Sequence, residues 1–210
     1  MILYDYFRST ACYRVRIALN MKQIAYEKVA IHLINYGGEH HSPEYHQINP
    51  QGLVPSLEIN GQILHQSLAI IEYLDEAFPE VPLLPQDPLI KSSLRALSLL
   101  VACDIHPLNN LRVLNRLKAQ FNANETQVTD WYHHWLKAGF DAFEEQLKRL
   151  ERDKALCYGN KISLADICLI PQVYNAERFN FPMDNYPLIR EINGYCLTLT
   201  PFIDAAPQLS

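Results

Sequence analysis

Long apolar runs are missing from this sequence, since none reaches about 18 residues. Its first residues, Met1–Tyr6, carry an early acid in place of the basic start and apolar stretch of a secretory signal. Low-complexity tracts and internal repeats are also absent. We therefore expect neither a membrane span nor a disordered chain. The 210 residues, 49% hydrophobic and 20% charged, are typical of a globular protein of one or two domains.

Paired cysteines and an excess of basic residues are lacking as well. The five cysteines stand apart, with no CxxC pair, at Cys12, Cys103, Cys157, Cys168 and Cys196. An odd number at wide spacing argues against a disulfide framework and a zinc knuckle, and predicts a cytoplasmic protein. The net charge of -5 argues against a nucleic-acid partner, because phosphate binding needs a basic face.

The first 80 or so residues alternate strand and helix patterns. Apolar residues at helical spacing from Ala11 predict a first helix, and Asn60-Gly61 is a strong hairpin signal. The predicted strands cover 2–6, 26–31, 54–59 and 63–65, and a second helix begins at Leu68. The predicted order is β-α-β, a loop, and β-β-α.

Helical patterns dominate the rest of the chain. Four prolines within Pro79–Pro88 predict a semi-rigid linker. Beyond it, 89–118 reads as a helical stretch that Pro107 should bend or break, and Leu136 to Leu150 as an amphipathic helix. Ser163–Asp166 has the pattern of a capping box before a buried helix. We predict an α/β domain over 1–80, a linker over 81–88 and an all-helical domain over 89–210.

Ser9 and Thr10 lie in the turn between the first strand and the first helix. Unpaired backbone N–H groups and the helix dipole make such a turn an anion site, and there a thiol is favoured as its thiolate. The alternative is a serine that only caps the helix, which is the more frequent role. Val54-Pro55, a proline that opens a strand, and Gln66-Ser67, which opens a helix, offer further backbone contacts for a peptide ligand. An ordinary strand start and helix cap are again the alternative.

Several motifs occur in an order that covers essentially the whole chain. They are Tyr6-Phe-Arg-Ser-Thr-Ala-Cys12, Asn49-Pro-Gln-Gly-Leu-Val-Pro55, His65-Gln-Ser67, Leu83-Leu-Pro-Gln-Asp-Pro88, Cys103-Asp-Ile-His-Pro-Leu-Asn-Asn110 and Pro171-Gln-Val-Tyr-Asn-Ala-Glu-Arg178. This order resembles the zeta-class glutathione transferases, the maleylacetoacetate isomerase family. The resemblance implies a thioredoxin-like N-terminal domain, an all-helical C-terminal domain, glutathione as cofactor and a homodimer.

The resemblance also implies the roles of individual residues. Ser9 would donate to the glutathione sulfur, with Thr10 beside it, and His106 would assist catalysis. The implied glutathione contacts are Ser9, Thr10, Ala11, Cys12, Arg14, His40, Val54, Pro55, Gln66, Ser67, His106 and Asn110. The implied substrate contacts are Arg8, Arg112 and Arg178, because a diacid needs charge-assisted partners; a surface salt bridge is the alternative for each.

One departure concerns the family's Ser-Ser-Cys signature, which reads Ser9-Thr10-Ala11 here and moves the cysteine to Cys12. The displacement is about 100° around the helix, so we expect Cys12 to be a packed residue without a catalytic role. Tyr6 is a competing thiolate partner, and a buried aromatic is its alternative reading. Arg14 and Arg16 are expected to pair within the N-terminal domain. The other histidines show no metal-ligand spacing, and we expect no metal.

These observations predict a glutathione-dependent isomerase that converts maleylacetoacetate to fumarylacetoacetate in aromatic amino-acid catabolism, with glutathione transferase activity. Arg112, with His106 and Asn110, resembles the maleylpyruvate isomerase branch, so the shorter diacid is an alternative substrate. Dehalogenation of α-haloacids and a non-catalytic binding role are further alternatives.

Overall fold

A computed structural model describes residues 1–207, with the backbone alone at Tyr36. The chain forms two compact units. The first contains Met1–Pro82 and the chain from Thr198 onward, and the second contains Leu83–Leu197. Among the described residues, no helix is both long and apolar enough to cross a membrane.

The first unit is built on one mixed sheet of four strands in the order β2-β1-β3-β4. The strands are β1 (Ile2–Asp5), β2 (Glu27–Ala30), β3 (Ser56–Ile59) and β4 (Gln62–His65). β2 runs parallel to β1, and β3 runs antiparallel to both β1 and β4. Asn60 and Gly61 turn the predicted hairpin with left-handed φ values of 51° and 75°, which asparagine and glycine accept most readily.

Four helices accompany this sheet: α1 (Thr10–Met21), α2 (Pro43–Ile48), α3 (Ser67–Ala77) and α9 (Thr200–Ala205). The predicted order β-α-β and β-β-α is confirmed. The loop after β2 also contains α2 and two short 3-10 turns, Asn35–Gly37 and Glu39–His41, which we did not predict. Helical segments of three to six residues span fewer than two turns, so they show too little apolar periodicity to stand out in a sequence.

Helix α9 packs on α1, so the last described residues belong to the first unit. Arg16 Nε donates to the Ala205 carbonyl at 2.8 Å, and the Tyr13 hydroxyl donates to the Phe202 carbonyl at 3.2 Å. The boundaries of the compact units therefore differ from those of the predicted domains, 1–80 and 89–210. The assignment of glutathione binding to one domain and substrate binding to the other stays a prediction. Residues 208–210 of the predicted second domain lie outside the described residues.

The regular elements of the second unit are helices, as predicted, and an isolated β-bridge joins Arg152 to Gly159 between two of them. Its helices are α4 (Pro88–Leu99), α5 (Leu111–Phe121), α6 (Glu125–Leu147), α7 (Leu164–Arg178) and α8 (Pro187–Cys196), with a π-helical segment, Leu100–Ile105, after α4. The break predicted at Pro107 therefore falls between the π-helical segment and α5. The π-helical segment packs closely against α6 at Gly139. A Cβ at that position would lie 2.2 Å from Ile105 Cγ1, so a larger residue would clash there.

Candidate active site

The sheet register brings three loop ends of the first unit to one edge. Tyr4 of β1 pairs with Ser56 of β3, and Ser56 pairs with His65 of β4. The end of β1, the start of β3 and the end of β4 therefore coincide. The turn into α1, the Val54-Pro55 step and the start of α3 all emerge there.

The start of α1 presents an anion site of the predicted kind. Ser9 is the N-cap, and its Oγ accepts the Cys12 backbone N–H at 3.2 Å. That bond leaves the hydroxyl proton of Ser9 available for donation. Within residues 1–207, no hydrogen bond engages the backbone N–H of Ala11. A donor hydroxyl and an open helix N-terminus are thus combined at a partly exposed position.

The Val54-Pro55 peptide bond is cis. The loop before it is held by Tyr45 and Asn49, whose side chains both donate to the Leu53 carbonyl, at 2.8 and 2.7 Å. Among the described residues, the backbone N–H and C=O of Val54 have no hydrogen-bond partner. Val54 therefore offers both groups to an extended peptide. Our sequence reasoning missed the support from Tyr45, although Asn49 opens one of the quoted motifs.

The start of α3 lies beside α1. Gln66 adopts φ 68°, ψ 119°, an uncommon conformation for a residue other than glycine, and its side chain donates to Gln51 Oε1 at 2.8 Å. Ser67 follows as the first helical residue, and its Oγ accepts from Arg14 Nη1 at 3.2 Å. Arg14 is 1% exposed, so its buried guanidinium fixes Ser67 in place.

His40 lies in the 3-10 turn Glu39–His41, which approaches the loop before Val54 at Gly52. A Cβ on Gly52 would stand 2.9 Å from the His40 carbonyl oxygen, so only glycine allows this approach. The His40 and His41 rings lie 3.8 Å apart. Burial, and then the neighbouring His41, lower the pKa of His40 below its ordinary value of 6.5.

Cys12 is fully buried, in keeping with a packed residue. Its Sγ accepts the Tyr6 backbone N–H at 3.4 Å, and burial raises the pKa of the thiol. Tyr6 itself is 8% exposed and packs edge-on against Phe7 and His32. Arg16, the other arginine expected to be structural, pairs with the buried carboxylate of Asp5 at 2.5 Å.

The arginines proposed for the substrate lie in both units. Arg8 is exposed at the turn before α1, with its guanidinium over the Phe7 ring. In the second unit Arg112 is exposed in the first turn of α5, where the Asn110 side chain accepts its backbone N–H. Arg178 ends α7, and its guanidinium lies 5.0 Å from the centre of the Phe179 ring.

His106 directly follows the π-helical segment, and its backbone N–H donates to the Val101 carbonyl at 2.9 Å. Within the part of the chain that the structure describes, no three His, Cys, Asp or Glu side chains form a group that could hold a metal ion.

Comparisons with known proteins decide the family. The family model of the glutathione S-transferase N-terminal domain matches residues 3–82, and that of the C-terminal domain matches residues 134–191. A probable maleylacetoacetate isomerase of Vibrio cholerae is 48% identical over 209 residues, which are 99% of this chain and 96% of the relative. A bacterial maleylpyruvate isomerase described as a zeta-class glutathione S-transferase superposes with a TM-score of 0.95 at 43% identity, covering 99% and 97% of the two chains.

The chain belongs to the zeta class of glutathione transferases, the maleylacetoacetate isomerase family. Two further solved structures are similar over 99% of this zeta-class chain. A glutathione S-transferase from Legionella pneumophila is 64% identical, with 97% of its chain covered and a TM-score of 0.87. A maleylacetoacetate isomerase from Methylobacterium extorquens AM1, solved with bound malonate and glutathione, is 36% identical, with 96% covered and a TM-score of 0.94. The resemblance and the thioredoxin-like plus all-helical fold are thereby confirmed.

Proposed function

We propose that the chain is a glutathione-dependent cis-trans isomerase that converts maleylacetoacetate to fumarylacetoacetate. The observation that carries this proposal is the open N-terminus of α1 with the Ser9 hydroxyl, in a chain 48% identical to a probable maleylacetoacetate isomerase along nearly its full length. A helix N-terminus of this kind favours a thiolate, which the isomerisation needs.

The residues of the first unit fit glutathione, an extended tripeptide with a carboxylate at each end. We assign the cysteinyl backbone to the unengaged N–H and C=O of Val54, beside cis-Pro55. The γ-glutamyl carboxylate goes to Gln66 and to the first backbone N–H groups of α3 at Ser67. The remaining residues assigned to the glutathione site are Thr10, Ala11, Cys12 and Arg14. Cys12 and Arg14 are buried, so they support the site from within the first unit. His40, His106 and Asn110 are assigned to the outer part of the ligand.

Bound glutathione supplies a thiol whose thiolate adds reversibly to the conjugated double bond and so allows rotation about it. Ser9 and the N-terminus of α1 stabilise the thiolate form of glutathione. A donor hydroxyl and the helix dipole both lower the pKa of a thiol, which is ordinarily about 8.5. Thr10 belongs to the same helix end. The protein thereby provides the nucleophile near neutral pH without using its own cysteine.

The substrate's two carboxylates need charge-assisted partners, and we assign Arg8, Arg112 and Arg178 to them. Negative charge develops on the substrate's ketone oxygen as the double bond is attacked, and a donor there lowers the barrier. His106 is our candidate for that donor, because an imidazole N–H serves this role near neutral pH.

Substitution of Ser9 tests the proposal. We expect Ser9→Ala to lower kcat by about 100-fold while the KM for glutathione changes much less, since a lost oxyanion or thiolate donor typically costs that much. Ser42→Ala is the matched control, because Ser42 also caps a helix of the first unit, α2, by accepting a backbone N–H. Activity of Ser9→Ala equal to that of the control would remove Ser9 from the mechanism.

Maleylpyruvate is the second candidate substrate, because a maleylpyruvate isomerase superposes with a TM-score of 0.95 and a maleylacetoacetate isomerase with one of 0.94, so the fold suits both. A spectrophotometric assay of both diacids, with and without glutathione, separates the two by kcat/KM. Glutathione-dependent turnover of an α-haloacid in preference to both would favour dehalogenation. A lack of glutathione binding in calorimetry would favour a non-catalytic role.

We also propose a cytoplasmic homodimer. All five cysteines are free and four are buried, which suits a reducing compartment, and the family resemblance supports the dimer. Sedimentation equilibrium should give about twice the 24.2 kDa chain mass, and a monomer would refute the assembly.

A further inference from the structure

Two consecutive aromatic residues of α6, Trp131 and Tyr132, hold the loop that carries His106 and Asn110. The Trp131 indole N–H donates to the Leu108 carbonyl at 2.9 Å. The Asn109 side chain donates to the Tyr132 backbone carbonyl at 3.1 Å. Both bonds lie within the second unit and fix the loop between the π-helical segment and α5.

The same stretch of α6 holds the end of α7. The Asn175 side chain donates to the Tyr132 hydroxyl at 2.6 Å, and Asn175 lies three residues before Arg178, on the same side of the helix. The Phe179 ring stacks on the Tyr132 ring at 3.9 Å with an interplanar angle of 14°. His133 Nε2 donates to the Phe179 carbonyl at 2.9 Å, because a carbonyl can only accept.

Phe179 is in turn the platform for Arg178. The guanidinium lies 5.0 Å from the Phe179 ring centre, a cation-π contact, and Tyr132 covers one face of that ring. The arginine therefore uses the other face. Tyr132 is 0% exposed, so it contacts neither solvent nor substrate directly, and its ring and hydroxyl act only on the residues around it.

We propose that Tyr132 is a positioning residue of the isomerase site, whose hydroxyl and ring set the Arg178 guanidinium for the diacid, while its backbone carbonyl holds the 106–110 loop. The inference rests on the proposed function, because it takes Arg178 as a carboxylate partner. It predicts that the hydroxyl of Tyr132, which meets Asn175 of α7, influences binding of the diacid. The glutathione contacts should be unaffected, because the 106–110 loop is held by the backbone carbonyl of Tyr132 and by Trp131 and not by the hydroxyl.

Kinetics of Tyr132→Phe test this role. The variant keeps the ring stack and removes the partner of Asn175, so we expect the KM for the diacid to rise three- to tenfold, with kcat and the KM for glutathione within twofold of wild type. Tyr186→Phe is the matched control, since Tyr186 is a buried tyrosine of the same unit whose hydroxyl donates to Asp141 at 2.9 Å. Equal KM values for the two variants would overturn the inference.

A double-mutant cycle shows whether Tyr132 acts through Arg178. In an Arg178→Gln background, Tyr132→Phe should change the KM for the diacid less than twofold, because the group that it positions is gone. A full three- to tenfold effect in that background would overturn the inference. Tyr132→Leu, which also removes the stack, should raise the KM further than Tyr132→Phe if it folds.

Tryptophan fluorescence provides a readout that does not need turnover. Both tryptophans of the chain, Trp131 and Trp135, flank Tyr132, so titration with malonate should change the emission. We expect the malonate dissociation constant of Tyr132→Phe to rise three- to tenfold above that of Tyr186→Phe. Equal constants, or no response of the wild type, would overturn the inference. A normal malonate response without isomerase turnover would instead count against the proposed function alone.

Discussion

The five cysteines differ in burial, and so they should differ in the reactivity of their thiols. Cys103 is exposed on the π-helical segment, whereas burial raises the pKa of the thiols of Cys12, Cys157 and Cys196. The thiolate is the reactive form, so a buried thiol with a raised pKa reacts slowly. We expect iodoacetamide at pH 7.5 to label Cys103 first in the folded chain, and Cys12 only after unfolding.

Peptide mass spectrometry over a time course checks this order. Cys103→Ser should abolish the fast phase of labelling and leave glutathione-dependent turnover within twofold of wild type. Rapid labelling of Cys12 in the folded chain would show that the displaced cysteine is accessible, and would reopen a catalytic role for it.

His40 should make the stability of the first unit sensitive to pH. Its pKa in the folded state is lowered from 6.5, by burial first and by His41 and His46 among other neighbours. The unfolded state therefore binds the proton more readily, and stability is lost as the pH falls from about 6.5 toward the folded pKa. His40→Gln should reduce the fall in Tm between pH 7.5 and 5.5 by roughly 1 to 2 °C.

Calorimetry of the glutathione-free chain measures that difference. His134→Gln is the control, because His134 is exposed on α6 in the other unit. A fall in Tm that is identical for wild type and both variants would mean that His40 titrates as it does in the unfolded chain.

At the scale of the element, the start of α7 depends on one buried carboxylate. Asp166 accepts the N–H and O–H of Ser163, at 2.8 and 2.7 Å, and the N–H of Cys157 at 2.8 Å. Asp166→Ala leaves three donors buried without an acceptor, so we expect a loss of about 3 to 5 kcal/mol in the free energy of unfolding. Urea unfolding followed by fluorescence measures this loss.

A second capping box in the same unit is the natural comparison. Asn124 caps α6 and exchanges hydrogen bonds with Gln127, but both residues are exposed. Asn124→Ala should cost only about 1 kcal/mol, because water satisfies the freed N–H groups. Equal losses for the two substitutions would mean that burial does not set the strength of this cap.

These elements also show what local sequence determines. The hairpin at Asn60-Gly61, the break at Pro107 and the acid of the Ser163–Asp166 box were predictable, because each depends on the conformational limits of one or two residues. The π-helical segment was not predictable, and its Ile105 packs closely against Gly139, 34 positions away, a contact that local sequence does not specify. The support of Arg178 by Tyr132 is a tertiary contact of the same kind. The turns at Ser9, Val54 and Gln66 were predictable because they are local, whereas the roles of these residues toward glutathione came from the family resemblance and stay predictions.

At the scale of the whole molecule, the C-terminal helix makes the first unit discontinuous in sequence. Phe202 of α9 is 0% exposed, and its carbonyl accepts from Tyr13, while the Pro201 carbonyl accepts from Asn20. These contacts cover α1, the helix whose start we assign to glutathione. Both tryptophans lie in the second unit, so fluorescence reports that unit. Most of the residues that we assign to glutathione lie in the first unit, so glutathione binding reports chiefly the first.

The two readouts allow a prediction about which unit α9 supports. Phe202→Ala removes a fully buried ring and should cost the first unit about 3 to 5 kcal/mol. We expect glutathione binding to be lost at a markedly lower urea concentration, while the fluorescence transition moves less. Phe143→Ala, an equally buried ring of α6, should do the reverse. If both variants shift both transitions together, the two units unfold as one cooperative body, and α9 stabilises the whole chain and not the first unit alone.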